Sequence, residues 1–208
     1  MVPHFDLPER LPLFPLPGTV LMPRARLPLH IFEPRYLQML EDTLKTDHRM
    51  IGMIQPDGAA LASIGCAGRV IAFSEGDDGR MMISLRAISR FRLQQAEEGF
   101  APYLRGLVEF GDFQRDLGTP ETDPRMQRDR LFSLLRRYME AHELSTDWEA
   151  AEKADDEVLV NSLSMMLPFS SSDKQALLES PTLGDRRELL EGLIEFALRG
   201  GDNEERLQ

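Results

Sequence analysis

Only one cysteine, Cys66, occurs among 208 residues. A lone thiol cannot close an internal disulfide, so the fold must rest on burial, and a reducing, cytoplasmic setting is expected. Lysine is nearly as scarce: Lys45, Lys153 and Lys174 are the whole set, and none follows a glycine-rich phosphate-binding loop. That removes the standard machinery of ATP hydrolysis. No two glycines stand two residues apart and no serine sits in a G-x-S-x-G elbow, which removes the dinucleotide fingerprint and the common serine nucleophile. His142-Glu143 opens like a zinc-protease helix, but Thr146 stands where the second ligand belongs. His4, His30 and His48 fall on different elements without acidic or cysteine partners at ligand spacing. No catalytic residue, cofactor site or metal site is therefore expected, and Cys66, set among small residues, reads as a buried small hydrophobe.

Long apolar runs are missing as well. The longest uncharged stretches, Leu11 to Pro23 and Val158 to Ser172, fall short of the about 20 residues a membrane span needs. Asp6, Glu9 and Arg10 occupy positions where a signal peptide would be apolar, so neither leader nor membrane anchor is expected.

What is present is an ordinary globular composition, 42% hydrophobic and 28% charged, with a net charge of -11. The excess acid is uneven. Residues 1 to 113 hold 12 Lys+Arg against 14 Asp+Glu, whereas residues 114 to 208 hold 12 against 21. Such a chain lacks the global basic footprint on which phosphate neutralisation depends, so nucleic acid is a poor expectation.

Eight of the fourteen prolines lie in the first 34 residues. The run Leu11 to Pro28, LPLFPLPGTVLMPRARLP, reads as short, kinked edge strands with a tight turn at Pro17-Gly18. Leu27 to Phe32 reads as extended. Pro34 then suits a first helical position, and Tyr36, Leu37, Leu40 and Leu44 recur at helical spacing up to about Thr46. Met50 to Gln55, Gly65 to Ser74, Arg80 to Gln95 and Tyr103 to Phe110 read as four more strands. Asp78-Gly79 is a hairpin signal, and broken alternation near Ala87 to Ser89 calls for a bulge. Gly111 to Pro124, with Gly118, Pro120 and Pro124 and no apolar period, reads as a linker.

Beyond it the pattern is helical, with apolar faces at Leu131, Leu134, Leu135 and Tyr138, at Leu159, Leu163 and Met166, and at Leu189, Leu193, Phe196 and Ala197. Ser172 with Gln175 and Thr182 with Asp185 suggest two caps, and Gly200-Gly201 a stop. The expectation is an α+β chain of two parts: a β-rich barrel-like domain with one inserted helix over 8–113, and an α-helical bundle over 120–200.

The segment Leu11 to Tyr36, LPLFPLPGTVLMPRARLPLHIFEPRY, closely resembles the opening of the Lon protease N-terminal domain family. IGMI at Ile51 to Ile54, GCAGRV at Gly65 to Val70, RAISRF at Arg86 to Phe91 and LSMMLPFSSSDKQALL at Leu163 to Leu178 follow in the family's order. The resemblance implies a PUA-like pseudo-barrel followed by a helical bundle. It also implies capture of polypeptide substrates, here with no ATPase or Ser-Lys peptidase domain beside it.

On that footing the expected partners are unfolded or apolar polypeptide segments, together with a separate protease or chaperone. Eleven methionines suit a surface that accepts many apolar sequences, or simply fill a small core. In strand geometry Met81 and Met82 cannot face the same side, so one of them points outward as a candidate contact. Glu33, Arg35 and Tyr36 either form a polar and aromatic contact at the helix start, or only cap the helix and pack inward. A second class of function, RNA or modified-base binding, would draw on Arg86, Arg90 and Arg92 as a local basic row. A third, an unrecognised peptidase, would need a nucleophile and base assembled by geometry alone.

Overall fold

The structure, a computed structural model, describes residues 7–76, 79–99 and 101–205, with side chains as far as Gly200. Six strands form one sheet: β1 (Arg10–Pro15), β2 (Arg26–Ile31), β3 (Met50–Ile54), β6 (Ile64–Glu75), β7 (Met81–Glu97) and β8 (Arg105–Glu109). A small hairpin, β4 (Pro56–Asp57) with β5 (Ala60–Leu61), lies between β3 and β6. The order is β2-β7-β6-β3-β1-β8, and β8 returns to pair with β7, so five strands close on themselves while β2 stays as an edge. Closure depends on the length of β7: its first half pairs with β2, its second half with β8, and both halves with β6.

The bulge falls where the alternation breaks. Ala67 faces Ser89 and Gly68 faces Ala87, leaving Ile88 as the extra residue. Gly79 takes φ +75° in the β6–β7 connection, while Asp78 lies outside the described residues. Gly18 takes φ +70° after Pro17, as a type II turn requires.

The proline-rich β1 is not an edge strand. It pairs with β8 over Arg10–Pro12 and with β3 over Leu13–Pro15. The Leu13 amide donates to Leu104 on the β8 side, so by alternation Pro12 presents its missing N–H toward β3 and Pro15 toward β8. Neither proline has a strand partner on that side, and an interior strand can therefore carry both.

Helix α1 (Pro34–Leu44) has Pro34 at its first turn and buries Tyr36, Met39, Leu40 and Thr43. The Gly111–Pro124 stretch is not a bare linker: a 3-10 turn (Gly111–Phe113) and α2 (Gln114–Leu117) bury Phe113 and Asp116, and Asp123 is buried beyond them. Then come α3 (Arg128–Ala141), α4 (Trp148–Lys153), α5 (Asp156–Met166), α6 (Ser171–Glu179) and α7 (Leu183–Glu205). Ser170, not Ser172, caps α6, its hydroxyl accepting from the Asp173 amide at 3.1 Å. Thr182 and Asp185 pair as expected, but α7 runs through Gly200-Gly201.

Two apolar groups hold this together. Leu11, Leu13, Met50, Ile54, Ala67, Phe91 and Val108 fill the closed sheet. Gly65 belongs to the same packing, since a Cβ there would stand 2.5 Å from both the Met53 carbonyl oxygen and the Phe91 ring. The second group joins Phe14, Leu21, Met39, Ile51, Met53 and Leu85 of the barrel side to Leu131, Leu135, Tyr138, Val160, Leu177, Leu190 and Ile194 of the helices. Segments 8–113 and 120–200 thus share one continuous core.

Candidate functional site

Strand β6 loses β3 as a neighbour after Arg69, and the last bond on that side runs from the Val70 amide to the Arg49 carbonyl. From there β6 and β7, with β2 beside them, project as a three-stranded arm. One of its faces buries Leu29, Ile31, Val70, Ile83 and Leu85. The other is open: His30 faces Met82, which faces Ser74, and Pro28 faces Ser84, which faces Ala72. Large apolar side chains collect toward the end of this arm, with Phe32 60%, Phe73 54%, Met82 53% and Ile71 40% exposed. Arg80 holds its guanidinium 5.9 Å from the Phe32 ring centre.

The five candidate residues divide around this end. Met82 is on the open face, and Met81, facing Ile31 and Glu75, is half-buried on the opposite one. Glu33 and Arg35 follow Phe32 in the chain and form an exposed ion pair at 2.8 Å, and the Glu33 side chain makes no cap. Tyr36 turns inward: its ring lies 4.3 Å from that of Phe14, with the Arg35 guanidinium 4.6 Å above it. Burial raises its phenol pKa, which Arg35 opposes and Glu33 assists. Its rim, with Arg35, Pro102 and Tyr103, lines a groove of about 250 Å³. The Tyr103 hydroxyl donates to Asp42 at 3.0 Å, and burial together with that bond pushes its pKa up to about 12.

Phe32 and Phe73 escaped the sequence reading. A signal existed for the first, because Leu29 and Ile31 mark the buried phase of β2 and Phe32 is out of phase with them. No such signal marks Phe73, which faces Ile83 on the buried side but lies beyond the reach of the core.

The basic row of Arg86, Arg90 and Arg92 does not form. Arg90 is 1% exposed and makes a two-point pair with Asp116, Nε to Oδ2 at 3.0 Å and Nη2 to Oδ1 at 2.9 Å. Its Nη1 donates to the carbonyls of Leu178 and Ser180 at the end of α6, where Arg186 also donates to Leu177 and Ser180. Arg92 pairs with Asp112 at 2.8 Å. A second tie joins Arg24 to Glu157 at 2.8 Å, with the Asn161 amide donating to the Pro23 carbonyl. Among the described residues no three His, Cys, Asp or Glu side chains gather as a metal site, and no helix is long and apolar enough to cross a membrane. Burial drives the Cys66 thiol pKa far up, which removes it as a nucleophile.

Comparison with known proteins places this geometry. Residues 10–195 match the family model described as the ATP-dependent protease La (LON) substrate-binding domain. The chain is 29% identical over 204 residues to Lon protease 1 of Bdellovibrio bacteriovorus, covering 91% of this chain and 25% of that protein. With Lon protease 2 of Sorangium cellulosum it shares 27% over 109 residues, or 49% of this chain and 13% of that one. It therefore spans only a fraction of the length of these relatives. A Lon N-terminal domain protein from Xanthomonas campestris superposes with a TM-score of 0.61 at 25% identity, covering 87% of this chain and 96% of that one. The N-terminal domain of the Mycobacterium avium complex Lon protease gives 0.62 at 14% identity over 89% of this chain and 98% of that one, a likeness of fold.

Proposed function

Because the chain belongs to the ATP-dependent protease La (LON) substrate-binding domain family, we propose that it is a recognition module that holds apolar segments of unfolded polypeptide without chemical turnover. The observation that supports this reading is the apolar end of the β2–β7–β6 arm, where Phe32, Phe73 and Met82 are all more than half exposed, whereas Met166 and Phe196, more exposed still, lie on separate helices, α5 and α7. Exposed apolar groups gathered at one place mark interaction surfaces more often than singly scattered ones do. Methionine, with its flexible thioether, adapts to varied partners. Burying a few hundred Å² at about 25 cal/mol per Å² favours association, but ordering a flexible client offsets much of it, leaving roughly micromolar or weaker affinity. A weak, exchangeable hold suits an adaptor or holdase that passes clients to a separate protease or chaperone in protein quality control.

The test is fluorescence anisotropy with a reduced, unfolded, uncharged apolar peptide and with single-stranded RNA, each at low and high salt. The peptide is expected to bind nearly independently of salt. Combined Phe32→Ser, Phe73→Ser and Met82→Ser substitution should weaken it about a hundredfold or more, since three large side chains contributing on the order of 1 kcal/mol or more each sum to about 3 kcal/mol. RNA binding alone, abolished by salt, would replace the polypeptide reading with the nucleic-acid one.

A further inference from the structure

We propose that the open face of the β2–β7–β6 arm selects polypeptide segments carrying carboxylates, through Arg26, Arg86 and Arg69. The proposal rests on the polypeptide-binding reading and narrows its substrate class. Arg26 faces Arg86 across β2 and β7, and Arg86 faces Arg69 across β7 and β6, so the three side chains stand in one row on one face. With strands about 4.8 Å apart the row is roughly 10 Å long. Like charges directly opposite each other destabilise a sheet, so such a row calls for a compensating anion.

The protein does not supply one. Among the described residues none of the three side chains has a hydrogen-bond or ion-pair partner, and the Arg69 Nε is buried without an acceptor. Five arginines elsewhere are matched, Arg24 with Glu157, Arg90 with Asp116, Arg92 with Asp112, Arg128 with Asp156 and Arg187 with Asp123, whereas Arg49, Arg105, Arg115 and Arg137, unmatched among the described residues, do not stand in this row. In a chain with 35 Asp+Glu against 24 Lys+Arg, carboxylates are abundant, yet this row has none.

The neighbouring rows define the occupant. Next to the arginines come Pro28, Ser84 and Ala72, a low strip, and then His30, Met82 and Ser74. Met82 lies four residues along β7 from Arg86, about 13 Å at the usual rise per residue. An extended segment with acidic side chains about four residues from an apolar one can meet both ends at once. A polynucleotide fits less well: the phosphate chain would extend past a 10 Å row onto a protein of net charge -11 and would leave Met82 unused.

The experiment compares two labelled unfolded peptides by anisotropy, one with Glu residues four positions from a Leu cluster and one with Gln in their place. The intact protein is expected to prefer the Glu peptide, and the preference should shrink as salt rises. Arg26→Gln, Arg69→Gln and Arg86→Gln should each reduce it about twofold to fivefold, as solvent-facing ion pairs do, and together abolish it. The triple variant should keep its hold on the Gln peptide and melt no lower than the parent, because it removes repulsion. Equal binding of both peptides by the parent, or preference persisting in the triple variant, overturns this proposal alone. Binding of neither peptide overturns the polypeptide reading with it, and single-stranded RNA that displaces the Glu peptide while the Gln peptide stays bound assigns the row to nucleic acid instead.

Discussion

Substituting Asp116 by Ala removes the carboxylate that neutralises the deepest cation joining barrel and helices. Arg90 would keep the Leu178 and Ser180 carbonyls but lose three contacts, including the bond from its own amide to Asp116 at 2.8 Å. A buried charge stripped of its partner costs about 3–5 kcal/mol. With a urea m-value of about 2 kcal/mol/M for a chain of this size, the unfolding midpoint should fall by roughly 1.5–2.5 M. The assay is equilibrium unfolding followed by far-ultraviolet circular dichroism and by fluorescence of Trp148, the sole tryptophan, which sits on α4. Because Arg90 links β7 to the end of α6, both signals should move together. Removing both charges, with Arg90→Met and Asp116→Leu, should cost less than Asp116→Ala alone, since no unpaired charge remains. A midpoint shift under about 0.5 M for Asp116→Ala, or a separation of the two signals, would refute the assignment of barrel–helix coupling to this pair.

Gly65→Ala is expected to lower the urea midpoint by an amount worth about 1–3 kcal/mol or more, because the new methyl meets the Met53 carbonyl and the Phe91 ring, neither of which can yield without moving the barrel. Burial alone would raise the Asp123 carboxyl pKa, but the hydrogen bond from Arg187 and the Arg125 amide outweigh it and hold it below the ordinary value. Its stabilising contribution should be complete above the unfolded carboxyl pKa of about 4 and be lost as pH falls through the lower folded value. Asp123→Asn should flatten the acid limb of a stability-against-pH curve, and an unchanged limb would sink that reading. Limited proteolysis should spare 111–124, whose Phe113, Asp116 and Asp123 are buried, and cut first in the exposed connection around Glu143, which sits at φ +52°; a first cut within 111–124 would instead mark 8–113 and 120–200 as separately folding units.

The barrel-like sheet, the inserted helix and the later helices were all legible in periods of apolar residues and in the turn chemistry of Gly18 and Gly79. The bulge was legible too, because apolar Ile88 falls in phase with Arg86 and Arg92 rather than with Leu85, Ala87 and Phe91, so burying all four breaks the alternation between Arg86 and Phe91. Periodicity reports which face of an element is apolar, and local turns report where it reverses. Neither reports which faces meet. That is why Gly111 to Pro124 looked like a linker: its packing rests on Asp116, whose partner Arg90 is remote in sequence and indistinguishable there from its exposed neighbours Arg86 and Arg92.

The same limit governed the candidate site. Sequence alone determined that one of two adjacent methionines must face out, since strand side chains alternate. Only the tertiary structure decided that it is Met82, that Phe32 and Phe73 lie toward the same end of the sheet, and that Tyr36 is spent on the core. Only the strand register decided that Arg26, Arg69 and Arg86 stand side by side, because it is pairing across β2, β7 and β6, set by which faces the core buries, that turns three scattered arginines into one row of charge.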